Sequence, residues 1–481
     1  MNKLFTLLTI GLLLISLKIS AQGEQGSFNV TGAGIATALV SDYQCLGINP
    51  SNLGWSADTR SIHLGLSEFS GSIYTEPLTK KDIKRLFTGE AYSYDEKVDA
   101  VRRFANARSA SDLNSNNLAF SYQNPDIGGF AIAIRDRISW NMKLNSMAAE
   151  LLWLGFNADY FDEKIIDEIT GDIIAGISSE PKSVSSLFSG TSLSTLWTRD
   201  LYFGYGTKII QLDDLVLYGG ADLKYIQGFA MIDVNIDDKN ISGTSSLSPM
   251  FGTDYPQPSP SSITGGALTP SGHGFGFDLG FSMIYKNKLR FGIAMNDIGS
   301  VNWNGNVYEA KYSGTIKRVE TPGLGTENID DILNSIAVEN ELFEWTGLES
   351  KSISLPTHMR LGAVYLPAAG LEVGADLILP MNAAPGCAEK ARFGLGTRYN
   401  AVGRLNISTG LTSGGNYRLN IPFGISVGVL KSWEIGIATH DISSLFRQQN
   451  PNVSIAFGFL RFSFGQYLVE LNPLPSGSEN L

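Results

Sequence analysis

The sequence predicts an all-β chain: a closed antiparallel transmembrane β-barrel of about fourteen strands with helical insertions in the links at one end. Three observations predict it. They are a two-walled hairpin in mid-chain, a strict alternation of long and short links, and a secretory leader.

The hairpin runs from Gly274 to Trp303. Phe275, Phe277, Leu279, Phe281, Met283 and Tyr285 fall on one side of an extended strand, and Gly276, Asp278, Gly280 and Ser282 fall on the other. After Lys286-Asn287-Lys288 the pattern repeats, with Leu289, Phe291, Ile293 and Met295 against Arg290, Gly292, Ala294 and Asn296. A soluble sandwich would carry Lys, Glu and Thr on its polar wall. Small residues with occasional charges on one wall and large apolar residues on the other describe a sheet closed around a lumen and wetted by lipid.

The chain starts with Met1-Asn2-Lys3, an apolar run from Leu4 to Leu17 and Ile19-Ser20-Ala21 before Gln22, the pattern of a cleaved signal peptide. The apolar run is too short for a membrane helix of about 20 residues, and no later stretch is long and apolar enough for one. The expected organisation is a leader at 1–21, an N-terminal segment at 22–56, the barrel at 57–465 and a tail at 466–481. A net charge of −11 argues against nucleic acid, and two cysteines in 481 residues exclude a disulfide scaffold.

After the leader, Gly26 to Trp55 is rich in small residues. Gly32, Gly34, Ala36, Ala38 and Asp42, followed by Asn49-Pro50-Ser51 and Leu53, resemble the N-terminal segment of FadL-type outer-membrane transporters. That family has Asn-Pro-Ala followed by Leu, and this chain has Ser51 where Ala is usual. The resemblance implies that the segment folds back as a plug inside a barrel of fourteen strands. Asn49, Pro50, Ser51 and Leu53 are then the plug motif.

Taken in order, the first strand reads Arg60 to Ser72. Thr79 to Gly89 and Asp95 to Ala107 read as amphipathic helices with N-caps at Thr79 and Asp95. Strands follow at Asn117 to Tyr122 and Phe130 to Ile138. The insertion from Asn141 to Ser194 has helical patterns at Met147 to Leu154 and Asp162 to Ala175, with Asp162, Glu163, Asp167 and Glu168 as a solvated helix face. Leu201, Phe203 and Tyr205 mark a strand, and Leu217 to Ile236 a longer one with a bulge near Gly228. Asp237 to His273 reads as a mobile Ser, Gly, Pro and Thr-rich loop. Asn304 to Ser354 reads as extended over Tyr308 to Val319 and helical over Ile329 to Phe343. Seven more strands lie near Thr357 to Tyr365, Leu371 to Leu379, Arg392 to Tyr399, Arg404 to Leu411, Arg418 to Val429, Trp433 to Asp441 and Val453 to Phe464.

With the N-terminus on the periplasmic side, the outer links 73–116, 140–197, 237–273, 304–355, 381–391, 412–417 and 442–452 are the longer set. The links 124–128, 210–214, 286–288, 367–370, 400–403 and 430–432 are tight. That sorting is the habit of outer-membrane barrels, and it places the chain in the outer membrane of a Gram-negative bacterium. Trp433, Tyr399, Tyr365, Tyr285 and Trp303 fall near strand ends, as interfacial girdles do.

The polar wall supplies the candidate lumen residues Asp278, Arg290, Arg360, Glu372, Asp376, Arg392, Arg398, Arg404, Arg418 and Glu434, with His358 and His440 in the same phase. No cofactor or metal site is expected. Gly424-Ile425-Ser426-Val427-Gly428 matches a nucleophile elbow in letters but lies inside an alternating strand. Asp233 to Asp237 begins like a calcium loop, yet Asp238 replaces its glycine. The chain therefore reads as a non-enzyme, with the lipid bilayer as its first partner. The resemblance implies a passive channel for hydrophobic, fatty-acid-like small molecules. The alternative is a structural barrel that binds proteins of a secretion system, as similar barrels do in type IX secretion.

Overall fold

The computed structural model describes residues 21–22 and most of 26–465. Residues 1–20, 23–25, 56–60, 252–257, 325–342 and 466–481 lie outside the described residues, as do positions 89, 267, 313, 389, 402–403, 416, 431 and 450. The expected leader, the tail and nearly all of the helix expected over Ile329 to Phe343 fall there.

Fourteen antiparallel strands close on themselves. They are β1 (Ser61–Thr75), β2 (Arg108–Asn124), β3 (Gly128–Lys143), β4 (Ser192–Gln211), β5 (Leu215–Ile236), β6 (Gly272–Tyr285) and β7 (Leu289–Trp303). The second half continues with β8 (His358–Ala368), β9 (Leu371–Pro380), β10 (Arg392–Asn400), β11 (Leu405–Gly414), β12 (Phe423–Gly428), β13 (Trp433–Thr439) and β14 (Asn452–Phe464). Each strand pairs with the next, and β14 returns to β1 in register from Ile62 opposite Phe464 to Tyr74 opposite Asn452. Closure leaves the barrel no unpaired edge, which a sheet in hydrocarbon requires.

The two walls sort as the hairpin foretells. Phe275 and Phe281 are 63% and 59% exposed on the outside, while Gly276 and Gly280 between them are buried. The tight links 125–127, 212–214, 286–288, 369–370, 401–404 and 429–432 gather at one end, here the turn end, and the longer links at the other, the loop end.

Bulges break the alternation at places that matter for the lumen. In β1, Ser67 has φ +52°, so that Ser61, His63 and Gly65 face inward below it and Glu68, Ser70 and Ser72 face inward above it. In β7, Asp297 has φ +56° and shares the space opposite Asp278 with Asn296, which turns both side chains into the interior. The bulge expected near Gly228 is present, where β5 shifts register against Trp197 and Thr198 of β4.

The loop end carries a cap. Among its helices are α2 (Lys80–Thr88), α3 (Tyr94–Phe104) and α4 (Ser146–Leu154), while α1 (Phe28–Ala33) belongs to the N-terminal segment. α3 starts at Ser93, which with Glu96 forms a reciprocal capping box. Asp95, the expected cap, sits in the first turn instead. Trp153 of α4 is buried against Tyr92 and Phe104, at 5.1 and 5.2 Å between ring centres.

The expected helix over Asp162 to Ala175 is a β-hairpin, Glu163–Ile166 with Ile173–Ser183. The carboxylate of Asp167 accepts the amides of Ile169 and Thr170 at 2.8 and 2.9 Å, and Gly171 follows at φ +75°. That turn chemistry, with β-branched Ile165, Ile166, Ile173 and Ile174, outweighs the helical spacing of the acids. The span expected as a loop over Asp237 to His273 contains a strand, Ile241–Leu247, that pairs with β5 and extends the wall above the rim. Trp303 is fully buried rather than interfacial. It fills the space left by Gly228 and Gly272, where an added Cβ would run into its ring, in the case of Gly272 at 2.8 Å.

Candidate functional site

Residues 26–55 run through the interior of the barrel. α1 lies against β1 and β10 to β14, the turn at Asp42–Cys45 against β1 to β3, and the turn at Pro50–Gly54 against β2 to β6. Ala36 and Thr37 meet β7, β8 and β9 at Gly292, Gly362 and Asp376. Every one of the fourteen strands thus touches this segment. Asn49, Ser51, Asn52 and Leu53 have no exposed surface, and Cys45 is a buried free thiol.

The wall admits the segment because inward positions at this level lack side chains. A Cβ added at Gly220 would lie 2.5 Å from the carbonyl carbon of Pro50, one at Gly362 2.6 Å from Thr37 Cβ, and one at Gly424 2.9 Å from Gly32 Cα. At Gly458 it would meet the Phe28 ring at 2.7 Å. Packed interiors do not tolerate such distances, so any side chain at these positions displaces the segment. A Gly220→Leu variant is expected to keep the mobility of an unboiled folded barrel on a gel while amide exchange over residues 49–54 accelerates. Unchanged exchange would mean that the wall yields instead.

Hydrogen bonds then fix the segment's path. Asp376 accepts from the amides of Ala36 and Thr37 and from the Thr37 hydroxyl, at 2.6, 2.9 and 3.0 Å. Asn49 caps the turn, its side-chain oxygen accepting from the Ser51 amide at 3.3 Å and the Ser51 hydroxyl at 2.7 Å. Asn52 donates to the carbonyls of Thr37 and Val40, at 3.0 and 2.8 Å. From the barrel, Gln123 donates to the Leu53 carbonyl at 2.8 Å and Arg461 pairs with Asp42 at 2.8 Å. The Tyr43 hydroxyl donates to Glu68 at 2.9 Å.

Charged groups fill the interior on the loop side of the segment. Lys224 touches both Asp278, at 2.6 Å, and Asp297. Arg137 bridges Asp200 at 2.6 Å and Asp297 at 3.0 Å. Two spaces of about 10 Å³ adjoin the segment, each roughly the size of one water. One is lined by Ser27, Gln44, Glu68 and Arg135, the other by Ile35, Arg360, Asp376 and Arg392.

The profile of a family of unknown function, DUF5723, matches residues 58–438, most of the chain. The chain belongs to DUF5723. No curated protein matches it. Solved structures similar to this DUF5723 chain include the toluene transporter TodX of Pseudomonas putida, at 11% identity and TM-score 0.43, covering 94% of this chain and 100% of that one. The toluene transporter TbuX of Ralstonia pickettii matches at 11% identity and TM-score 0.43, over 92% of this chain and 98% of that one. A FadL homologue of Pseudomonas aeruginosa matches at 12% identity and TM-score 0.39, over 92% and 97%. The fourteen-strand barrel itself rests on the strand pairing described above.

In this DUF5723 barrel the candidate lumen residues divide into groups. Asp278, Arg360 and Asp376 are buried in the interior. Arg290 and Arg398 both pair with Glu372, at 2.7 and 2.6 Å, at the turn end, where Arg290 also covers the ring of Trp55. Glu434 accepts from the Ser426 hydroxyl at 2.6 Å and pairs with Arg461 at 2.9 Å. That places Ser426 inside a strand with a structural partner. Arg392 borders the second water-sized space, Arg404 is exposed in the link before β11, and Arg418 is exposed beyond β11 near Glu76.

Lys224, Asp297, Arg137, Asp200, Glu68 and Arg461 were not singled out from sequence. Lys224, in phase with Asp222 along β5, carried a readable signal. Asp297 and Glu68 carried none, because strict period-two counting across a bulge assigns them to the lipid wall.

Proposed function

We propose that the chain is a passive channel in the outer membrane of a Gram-negative bacterium, passing hydrophobic small molecules of the fatty-acid kind, with residues 22–56 as its gating plug. The observation that carries this reading is the seating of residues 26–55. They fill the lumen through hydrogen bonds and close contacts to glycines, and Cys45 within them is a free thiol, so no disulfide at Cys45 ties the segment to the wall. Part of the wall beside it, Gly292, Gly362, Gly424, Ala119 and Ser282, carries no charge and suits an apolar solute, between the charged Asp376 and Arg461 that hold the segment. On the loop side, the cap holds an apolar interior of Leu152, Phe161, Leu187 and Ile236. The resemblance of Asn49-Pro50-Ser51 to the FadL-type motif points the same way.

The test is uptake. The mature chain should fractionate with the outer membrane, migrate faster unboiled than boiled, and speed entry of a fluorescent long-chain fatty acid into proteoliposomes without speeding entry of glucose. Uptake equal to that of empty liposomes, with the barrel demonstrably folded, rejects the channel and is the result a closed docking barrel would give.

A further inference from the structure

Beside the Lys224 pairs, two carboxyl groups meet directly. Asp222 on β5 and Asp278 on β6 are register partners, and both side chains are buried in the lumen within hydrogen-bond reach of each other. Each has one oxygen engaged. Asp222 Oδ2 accepts from the Gly47 amide of the N-terminal segment at 3.2 Å, and Asp278 Oδ1 accepts from Lys224 at 2.6 Å and from the Asp297 amide at 2.7 Å. The other oxygens, Asp222 Oδ1 and Asp278 Oδ2, accept no hydrogen bond among the described residues.

The close cations are engaged by other acids as well. Lys224 divides its contact between Asp278 and Asp297, and Arg137 of β3 divides its own between Asp297 and Asp200 of β4. Arg360 and His358 of β8 and Arg135 of β3 complete the charged surroundings, with Tyr202 of β4 and the Cys45 thiol of the segment as neutral titratable neighbours. A donor is still missing at the two remaining oxygens.

Two carboxylates in contact and out of water repel each other, and a buried acceptor without a donor is costly. One proton removes both penalties, because a protonated carboxyl donates to its ionised partner. We propose that Asp222 and Asp278 share a single proton, and that this proton keeps Asp222 where it accepts the Gly47 amide, so that pH acts on the seating of residues 26–55. Lys224 and the Asp297 amide hold Asp278 in place, which leaves Asp222 as the partner that moves when the proton is lost. The bond to Gly47 is therefore present at neutral pH and lost as the pH rises. The site is independent of which solute the lumen passes.

The full-length mature chain with isotope-labelled aspartate, reconstituted in lipid vesicles, is compared with Asp222→Asn by infrared difference spectroscopy at about pH 7, where exposed aspartates are ionised. The parent should show the carbonyl stretch of a protonated carboxyl that the variant lacks, and that band should fade towards about pH 10 in the parent alone. Amide exchange over residues 45–49, corrected for the intrinsic pH dependence of exchange, should accelerate about tenfold in the parent over the same range, the scale of one hydrogen bond to a charged group. In Asp222→Asn the new amide donates to Asp278 at every pH while its oxygen accepts from Gly47, so the corrected exchange should stay constant. Unboiled gel mobility establishes that each protein is folded at each pH. A difference spectrum without the band means that water or a cation bridges two ionised carboxylates, and overturns the shared proton. A band accompanied by exchange that responds to pH equally in parent and variant overturns the link to residues 26–55.

Discussion

Replacing Lys224 with Met is expected to destabilise the barrel by about 3–5 kcal/mol, the usual consequence of removing one partner from a buried ion pair. Lys224 is fully buried and its ammonium group touches the carboxylates of both Asp278 and Asp297, which are equally inaccessible to water. Without it, Asp278 loses a cation at 2.6 Å, while Asp297 keeps Arg137 at 3.0 Å and His358 at 3.9 Å. The measurement is the urea concentration at which the fast unboiled gel band converts to the slow one. Lys224→Met with Asp297→Asn should recover part of the loss, because the second change removes one uncompensated charge. A single variant as resistant as the parent would mean that water solvates these carboxylates.

Changing Asn49 and Pro50 together to Gly is expected to raise single-channel conductance in planar bilayers while leaving the unboiled band in place. The Asn49 side chain holds the turn through Ser51 and donates to the carbonyls of Thr37 and Phe281 at 3.3 and 3.4 Å. Pro50 sets the backbone entry to that turn. Losing two such bonds at about 1 kcal/mol net each shifts a closed–open equilibrium by more than about tenfold. Neither residue belongs to a barrel strand, so the ladder should survive. Unchanged conductance from a folded double variant would reject a gating role for residues 26–55.

The two experiments address parts of the chain that were unequally readable beforehand. The hairpin from Gly274 to Trp303 was legible because each residue's wall follows from its parity, and the lipid wall demands large apolar groups at every second position. The same parity placed Asp278, Arg360 and Asp376 inside. It could not reveal that Asp376 serves the amides of Ala36 and Thr37, or that Lys224, Asp278 and Asp297 share one cluster, since those contacts join strands and segments far apart in the chain. The cap was readable only in part. α4 and the pair α2 and α3 follow helical spacing, but the acidic stretch after Asp162 obeys its Asx turn.

The sequence by itself determined the number of strands, the order of long and short links and the sorting of apolar from small residues, because period-two alternation and turn chemistry are local. It also contained, without explaining them, the inward glycines. Only the tertiary structure decided what those glycines are for. Closure brings Gly220, Gly362, Gly424 and Gly458 to one level around residues 28–51, and the missing side chains there measure the room the segment occupies. The bulges at Ser67 and Asp297 belong to the same class. Each inserts one residue that reverses the parity of a strand, a step with no local marker in the residues themselves, and so turns Glu68 and Asp297 from the lipid wall into the lumen.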